Sequence, residues 1–217
     1  MRVIQERLRI FNVNYEQIGA AYRDEVHLRG YWHEVFHCWV VEKIEQQWYI
    51  YLQLRSYSKK DYPGQYDITA AGHLMEDETV EDGVRELKEE LGINVSYAQL
   101  HLLGVIPYAI DNEKIKDYEF ANVFLYEHKG GLERFNIQRD ELVGMYRAKL
   151  DDFVRLAQKE AETIEVQGYR YESNLKMEQN VRISLNEMSA LPDNYLSKLI
   201  PKLQIYLNNI SSTYTGL

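Results

Sequence analysis

Runs of β-branched and aromatic residues separated by short polar breaks dominate the first third of the chain. Leu8 to Val13 reads as a short edge strand, followed by a turn through Asn14 and a return over Ile18 to Tyr22. Phe36 to Ile44 and Gln47 to Leu54 have the pattern of two adjacent strands. Lys59, Lys60 and Pro63-Gly64 mark Ser56 to Gln65 as a loop, and Tyr66 to Ala71 leads out of it as a further strand. The rhythm then changes, with Leu87, Leu91 and Ile93 supplying the apolar side of a helix that Gly92 is placed to end in a left-handed conformation. Strands resume near Leu102 to Tyr108 and, after a polar hairpin loop over Asp111 to Lys116, at Glu119 to Glu127. Asp140 to Tyr146 continues the sheet. Leu150 to Ala161 has helical periodicity with Asp151 and Asp152 favourable at its start. Thr163 to Tyr171 and Asn180 to Leu185 read as strands, and Asn194 to Asn208 as a helix kinked at Pro201. There is no internal repeat. The order predicts an α/β domain over residues 1–150, with an α/β extension over residues 151–217 packed on it.

Composition narrows the class. A chain of 217 residues with 45% hydrophobic and 27% charged residues is ordinary for a soluble globular protein. The net charge of -9 argues against a nucleic-acid backbone binder. Cys38 has no partner for an internal disulfide, which suits a reducing cytoplasm, and the N-terminus lacks the apolar core of a signal peptide. No stretch approaches the roughly 20 apolar residues of a membrane span. The 18 tyrosines leave both a homodimer surface and a base-stacking site open, with Trp48, Tyr62 and Tyr66 as stacking candidates.

Much of the charge is local, with eight acids against Arg85 and Lys88 between Glu76 and Glu90. Glu86, Glu89 and Glu90 stand at i, i+3 and i+4, so a helix points all three carboxylates the same way. Their mutual repulsion destabilises a bare helix and is reversed by a bound Mg²⁺. The segment resembles the signature of the Nudix family, a glycine, five residues, Glu, a spacer, then Arg-Glu-Leu-x-Glu-Glu-x-Gly-Ile, here carried by Gly72, Glu78, Arg85, Glu86, Leu87, Glu89, Glu90, Gly92 and Ile93. The spacer Thr79 to Val84 is one residue shorter than the family's usual one, and Gly83 stands where Ala is expected, a change worth about 1 kcal/mol in a helix. The resemblance implies a Nudix α/β/α sandwich with a mixed sheet and a C-terminal extension. It also implies a divalent-metal-dependent hydrolase of diphosphate linkages in nucleoside diphosphate-type substrates.

The flanks are similar to the type I isopentenyl-diphosphate isomerase branch of that family and its hydrolase relatives. They are Glu25-Val-His-Leu-Arg-Gly-Tyr-Trp-His33, Phe36-His-Cys-Trp-Val, Ser58-Lys-Lys-Asp-Tyr-Pro-Gly64 and Ala71-Gly-His73. Carried over residue by residue, the resemblance implies a second, transition-metal site at His27, His33, His73, Asp117 and Glu119, a donor set that suits Mn²⁺ or Zn²⁺ over Mg²⁺. The isomerase's catalytic cysteine is replaced by Ala71, and Cys38 lies on a different predicted strand, so the balance moves from isomerisation to hydrolysis.

In this reading Glu86, Glu89 and Glu90, with the carbonyl of Gly72, hold Mg²⁺ or Mn²⁺, and Arg85 pairs with Glu78 to fix the loop on the helix. Glu119 is the first candidate base and Glu141 the second, with a carboxylate pKa depressed by neighbouring cations. Arg55, Lys59 and Lys60 are candidate phosphate contacts, a solvated basic loop being the competing reading. A prenyl-diphosphate isomerase and a non-catalytic ligand-sensing module are the alternatives to the hydrolase.

Overall fold

In the computed structural model, which describes residues 6–113, 115–173, 175–189 and 191–214, the chain begins with a hairpin of β1 (Arg7–Phe11) and β2 (Gln17–Tyr22). A helix absent from the sequence reading follows, α1 (Arg23–Arg29), capped by Gly30 at φ 68°. It spans seven residues and buries only Val26, too little for periodicity to register. The two apolar runs form the antiparallel pair β3 (Trp32–Ile44) and β4 (Gln47–Arg55), with β3 beginning four residues earlier than expected. The single strand expected over Tyr66 to Ala71 is split into β5 (Tyr66–Asp67), on β4, and β6 (Ala70–His73), on β3. Thr69 makes the break. Its hydroxyl accepts from Val40 N at 3.0 Å and donates to Tyr51 O, so the side chain replaces ladder bonds to both strands.

After α2 (Arg85–Leu91), β7 (His101–Asp111) and β8 (Lys116–Glu127) form a long hairpin. β8 runs parallel to β3 from the Trp32–Tyr118 pair to Val41–Glu127, which makes the sheet mixed. β9 (Leu142–Lys149), α3 (Leu150–Ala157), β10 (Ile164–Glu172), β11 (Leu175–Ile183) and α4 (Asp193–Tyr214) complete the chain. The order β11-β10-β9-β4-β3-β1-β2 places the C-terminal strands on the same sheet as the rest. β11 begins five residues before the expected Asn180, because its first half, Leu175 to Glu178, is a solvent-exposed edge with no buried apolar side chain to mark it. α4 continues through Pro201.

Alternation along β3 assigns the two faces. Phe36, Cys38 and Val40 point with Tyr51 and Phe124 towards α2, whose Leu87 and Leu91 are fully buried there. Val35, Trp39 and Val41 join Ile50, Leu52, Val123 and Leu125 under α3 and α4, where Phe153, Leu199 and Leu203 close the second layer. Among the described residues no helix is long and apolar enough to cross a membrane.

Candidate metal and diphosphate site

A cavity of about 650 Å³ opens between α2, β6, β8 and the loop after β4, and both acidic and histidine-rich segments line it. The glutamate helix is set by two glycines that cannot carry a side chain. A Cβ on Gly72 would meet Glu86 Oε1 at 2.0 Å, and one on Gly83 would meet the Phe36 ring at 2.6 Å. The short spacer is taken up by a 3-10 turn over Asp82–Val84 that runs directly into α2. The helix ends in a Schellman-type cap, with Gly92 at φ 70° donating to Lys88 O and Ile93 donating to Leu87 O, both at 3.0 Å.

Arg85 ties the loop to this helix. Its Nε and Nη2 donate to the two carboxylate oxygens of Glu78 at 2.5 and 3.0 Å, and Nη2 also donates to His73 O at 3.1 Å. Its Nη1 reaches Glu86 at 2.6 Å and Glu89 at 3.1 Å. Glu86 and Glu90 are buried, whereas the Glu89 side chain is 59% exposed at the cavity rim. Burial, only partly offset by Arg85, pushes the Glu86 carboxyl up to about 7. Burial and the neighbouring Glu86 push Glu90 well above the usual carboxylate range, although Ala71 N donates to it at 3.2 Å. Two buried carboxyls held unfavourably in this way form a site that a divalent cation would relieve.

The histidine residues converge on the other side of Arg85. His33 lies on β3 directly beside Glu119 of β8, with Asp117 two positions earlier on the same face. His73 ends β6 opposite Val35, and His27 comes from α1. Asp117 Oδ1 is 3.6 Å from His27 Nε2 and 3.5 Å from His33 Nε2, and Glu119 Oε1 is 3.8 Å from His33 Nε2. The three imidazoles cluster with ring centres 5.2 to 5.3 Å apart, His33 stacked on His73 and His27 tilted against both. Burial keeps all three neutral, with His33 lowered to about 4. The Nε2 atoms of His27, His33 and His73 and Asp117 Oδ1 are buried without a hydrogen-bond partner. His33 Nδ1 bonds to Tyr31 O at 3.0 Å, which turns the Nε2 lone pair inwards. Orphaned neutral nitrogens facing carboxylate oxygens fit a metal ion, the donors all lying within 4.8 Å of one another in each of two overlapping triads.

Without a cation beside it, burial and the Asp117 charge both push the Glu119 carboxyl well above the usual carboxylate range. Its Oε2 accepts the Tyr108 hydroxyl and lies 3.7 Å from His37 Nε2. Tyr108, His37, Tyr195, Asp67 and Ser189 form the rear of the site and were missed in the sequence. His37 was legible, since it shares the β3 face with His33 at a spacing of four. Tyr195 was not, because its contact with His37 spans 158 residues.

The basic residues divide. Arg55 lines the cavity but is bound to Asp67 at 2.7 Å and to Asp61 O, and Lys59 is paired with Glu141. Lys60 lies outside the cavity lining, 83% exposed and 3.3 Å from Asp24, so it does not join the others. Arg23, not singled out in the sequence, does line the cavity. Of the stacking candidates only Tyr62 reaches it. Tyr66 packs on Tyr146, and Trp48 lies under Lys43. Cys38 faces the α2 layer, where burial pushes its thiol up, while Ala71 sits opposite His37 on the site's side.

Residues 32–167 match the family model described as the NUDIX domain. An uncharacterized Nudix hydrolase of Clostridium acetobutylicum is 37% identical over 165 residues, covering 76% of this chain and 80% of that protein. An isopentenyl-diphosphate Delta-isomerase of Photorhabdus laumondii is 28% identical over 126 residues, covering 55% of this chain and 68% of the relative. A solved structure of a MutT/nudix family protein from Enterococcus faecalis superposes with a TM-score of 0.50 at 13% identity, covering 81% of this chain and 62% of that one, a likeness of fold alone.

Proposed function

Since this chain belongs to the Nudix hydrolase family, we propose that it cleaves a diphosphate linkage in a small nucleoside diphosphate-type substrate with Mg²⁺ or Mn²⁺. The observation that carries the reading is the buried pair Glu86 and Glu90 packed against a glycine in the wall of a cavity. A divalent cation held there would neutralise phosphate charge and lower the pKa of an attacking water. Glu86 and Glu90 are the residues that would hold it. Glu89, at the rim and bonded to Arg85, orients the incoming group. Arg85 fixes both the Glu78 loop and the helix in one arrangement. His27, His33, His73, Asp117 and Glu119 would hold a second, transition-metal ion. Glu119 is the first candidate base and Glu141, at the cavity wall on Lys59, the second. Arg55, Lys59 and Arg23 are the cations available to phosphate oxygens.

The isomerase reading has one observation in its favour, the five-residue histidine and carboxylate cluster shared by resemblance with that branch. Against it, Ala71 offers no proton and Cys38 points into the opposite layer. A ligand-sensing role without catalysis remains as the third reading. Hydrolysis of nucleoside di- and triphosphates, sugar nucleotides, dinucleotides and coenzyme A, followed as phosphate or phosphomonoester products with Mg²⁺ and Mn²⁺ in parallel, separates the three. Turnover abolished by Glu90→Gln in a folded protein supports the hydrolase. Conversion of isopentenyl to dimethylallyl diphosphate would favour the isomerase, and no turnover on any substrate would overturn both.

A further inference from the structure

α4 reaches the rear of the site through Tyr195. Tyr195 is fully buried, and its hydroxyl accepts the indole N–H of Trp39 at 3.1 Å. An indole N–H only donates, so the Tyr195 proton must go to another acceptor. His37 Nδ1, at 3.0 Å, is in position to accept it. That assignment leaves the proton of the neutral His37 ring on Nε2, which lies 3.7 Å from Glu119 Oε2, an electrostatic contact beyond hydrogen-bond length. The same oxygen accepts the Tyr108 hydroxyl. Oε2 of Glu119 is thereby hydrogen-bonded by Tyr108 with the His37 N–H dipole beside it, and Oε1 is left facing His33 Nε2 and the orphaned nitrogens around it.

We propose that Tyr195 is a positioning residue for the metal-facing oxygen of Glu119, acting through the tautomer of His37. The inference rests on the reading of Glu119 as a metal ligand. It gives the C-terminal helix a part in the site beyond covering the core. Trp39, Tyr195 and His37 form a chain in which each hydrogen bond fixes the direction of the next, as outer hydrogen bonds orient metal ligands elsewhere.

The test begins with the metal-free full-length protein labelled with ¹⁵N-histidine. Long-range ¹⁵N–¹H spectra are expected to show His37 as the Nε2–H tautomer, and Tyr195→Phe, which keeps the ring, to lose that preference. An Nδ1–H tautomer in the wild type, or an unchanged one in the variant, would overturn the proposal. Mn²⁺ binding is then followed by electron paramagnetic resonance. Tyr195→Phe is expected to weaken it about tenfold, and to add nothing further on a His37→Leu background, because both remove the same link. Additive losses would mean that Tyr195 acts by general packing and would overturn it. If Tyr195→Phe does not fold, the wild-type tautomer decides. If the wild type binds no Mn²⁺, the metal reading fails, and the spectra still decide the link between Tyr195 and His37.

Discussion

Gly72 and Glu86 occupy the same space to within a methyl group, since a Cβ on Gly72 would lie 2.0 Å from Glu86 Oε1 and 2.3 Å from its Cδ. With Glu86 in its observed position, the contact between β6 and α2 leaves no room for a side chain at Gly72. Gly72→Ala must move either the strand or the carboxylate. Overpacking of this kind costs about 1–3 kcal/mol, and a displacement near 1 Å costs about 100-fold in rate. Diphosphate hydrolysis is therefore expected to fall about 100-fold, with a folded protein still visible in thermal melts. Full activity in the alanine variant would show that Glu86 does not need its observed position.

Gly83 reverses an expectation from propensity. An alanine in a helical turn is favoured over glycine by about 1 kcal/mol, so Gly83→Ala looks stabilising from sequence. Its Cβ would lie 2.6 Å from the Phe36 ring, which is fully buried and stacked on Phe124 with ring centres 5.0 Å apart. Phe36 has no room to yield. Gly83→Ala is expected to destabilise the protein by about 1–2 kcal/mol, read from the urea midpoint at constant slope. A raised midpoint would contradict the contact.

The two glycines also show what a sequence carries and what it withholds. Gly72 belonged to a spaced pattern, and so did Glu78, Arg85, Glu86 and Glu90, of which Arg85 and Glu78 pair as that pattern implied. Gly83 looked like a defect because its reason is a ring 47 positions away in the chain. The strands were legible where apolar runs were long, as in β3 and β4. Strand β5 was not separable from β6, because one Thr69 hydroxyl decides the break. α1 was missed since its position is fixed by a single buried valine and a glycine cap. Arg55 and Lys60 looked equivalent in the loop, yet Arg55 is held by Asp67 and Lys60 faces solvent, a distinction that only tertiary partners make.

Protonation separates the glutamate helix from an ordinary acidic surface. The folded Glu86 carboxyl titrates at about 7 against a usual 4.5, because burial disfavours its charged form. Its contribution to stability is therefore present below pH 4.5 and lost as pH rises through about 7. The stability of the metal-free protein relative to Glu86→Gln is expected to decline across that window. Mg²⁺ must displace the same proton, so its stabilising shift in melting temperature is expected to be small at about pH 5.5 and larger at about pH 8. Glu86→Gln should reduce the shift at the higher pH. A Mg²⁺ shift that is the same at both pH values would place the cation elsewhere.

A single oxygen of Asp117 faces two imidazoles at once, 3.6 Å from His27 and 3.5 Å from His33. Burial holds His33 neutral down to about pH 4, so this ring binds no proton at neutral pH and has its lone pair free. With Glu119 the set is three nitrogens and two carboxylates, which suits Mn²⁺ or Zn²⁺ over Mg²⁺. Asp117→Asn keeps the size of the side chain and removes its charge. Calorimetric titration is expected to show Zn²⁺ or Mn²⁺ affinity at this site falling at least about tenfold, by analogy with altered metal surroundings. The Mg²⁺ effect on melting at the glutamate helix should persist, because Asp117 makes no contact with Glu86 or Glu90 among the bonds of the site. Loss of both effects together would mean one shared metal centre, and loss of neither would remove Asp117 from the ligand set.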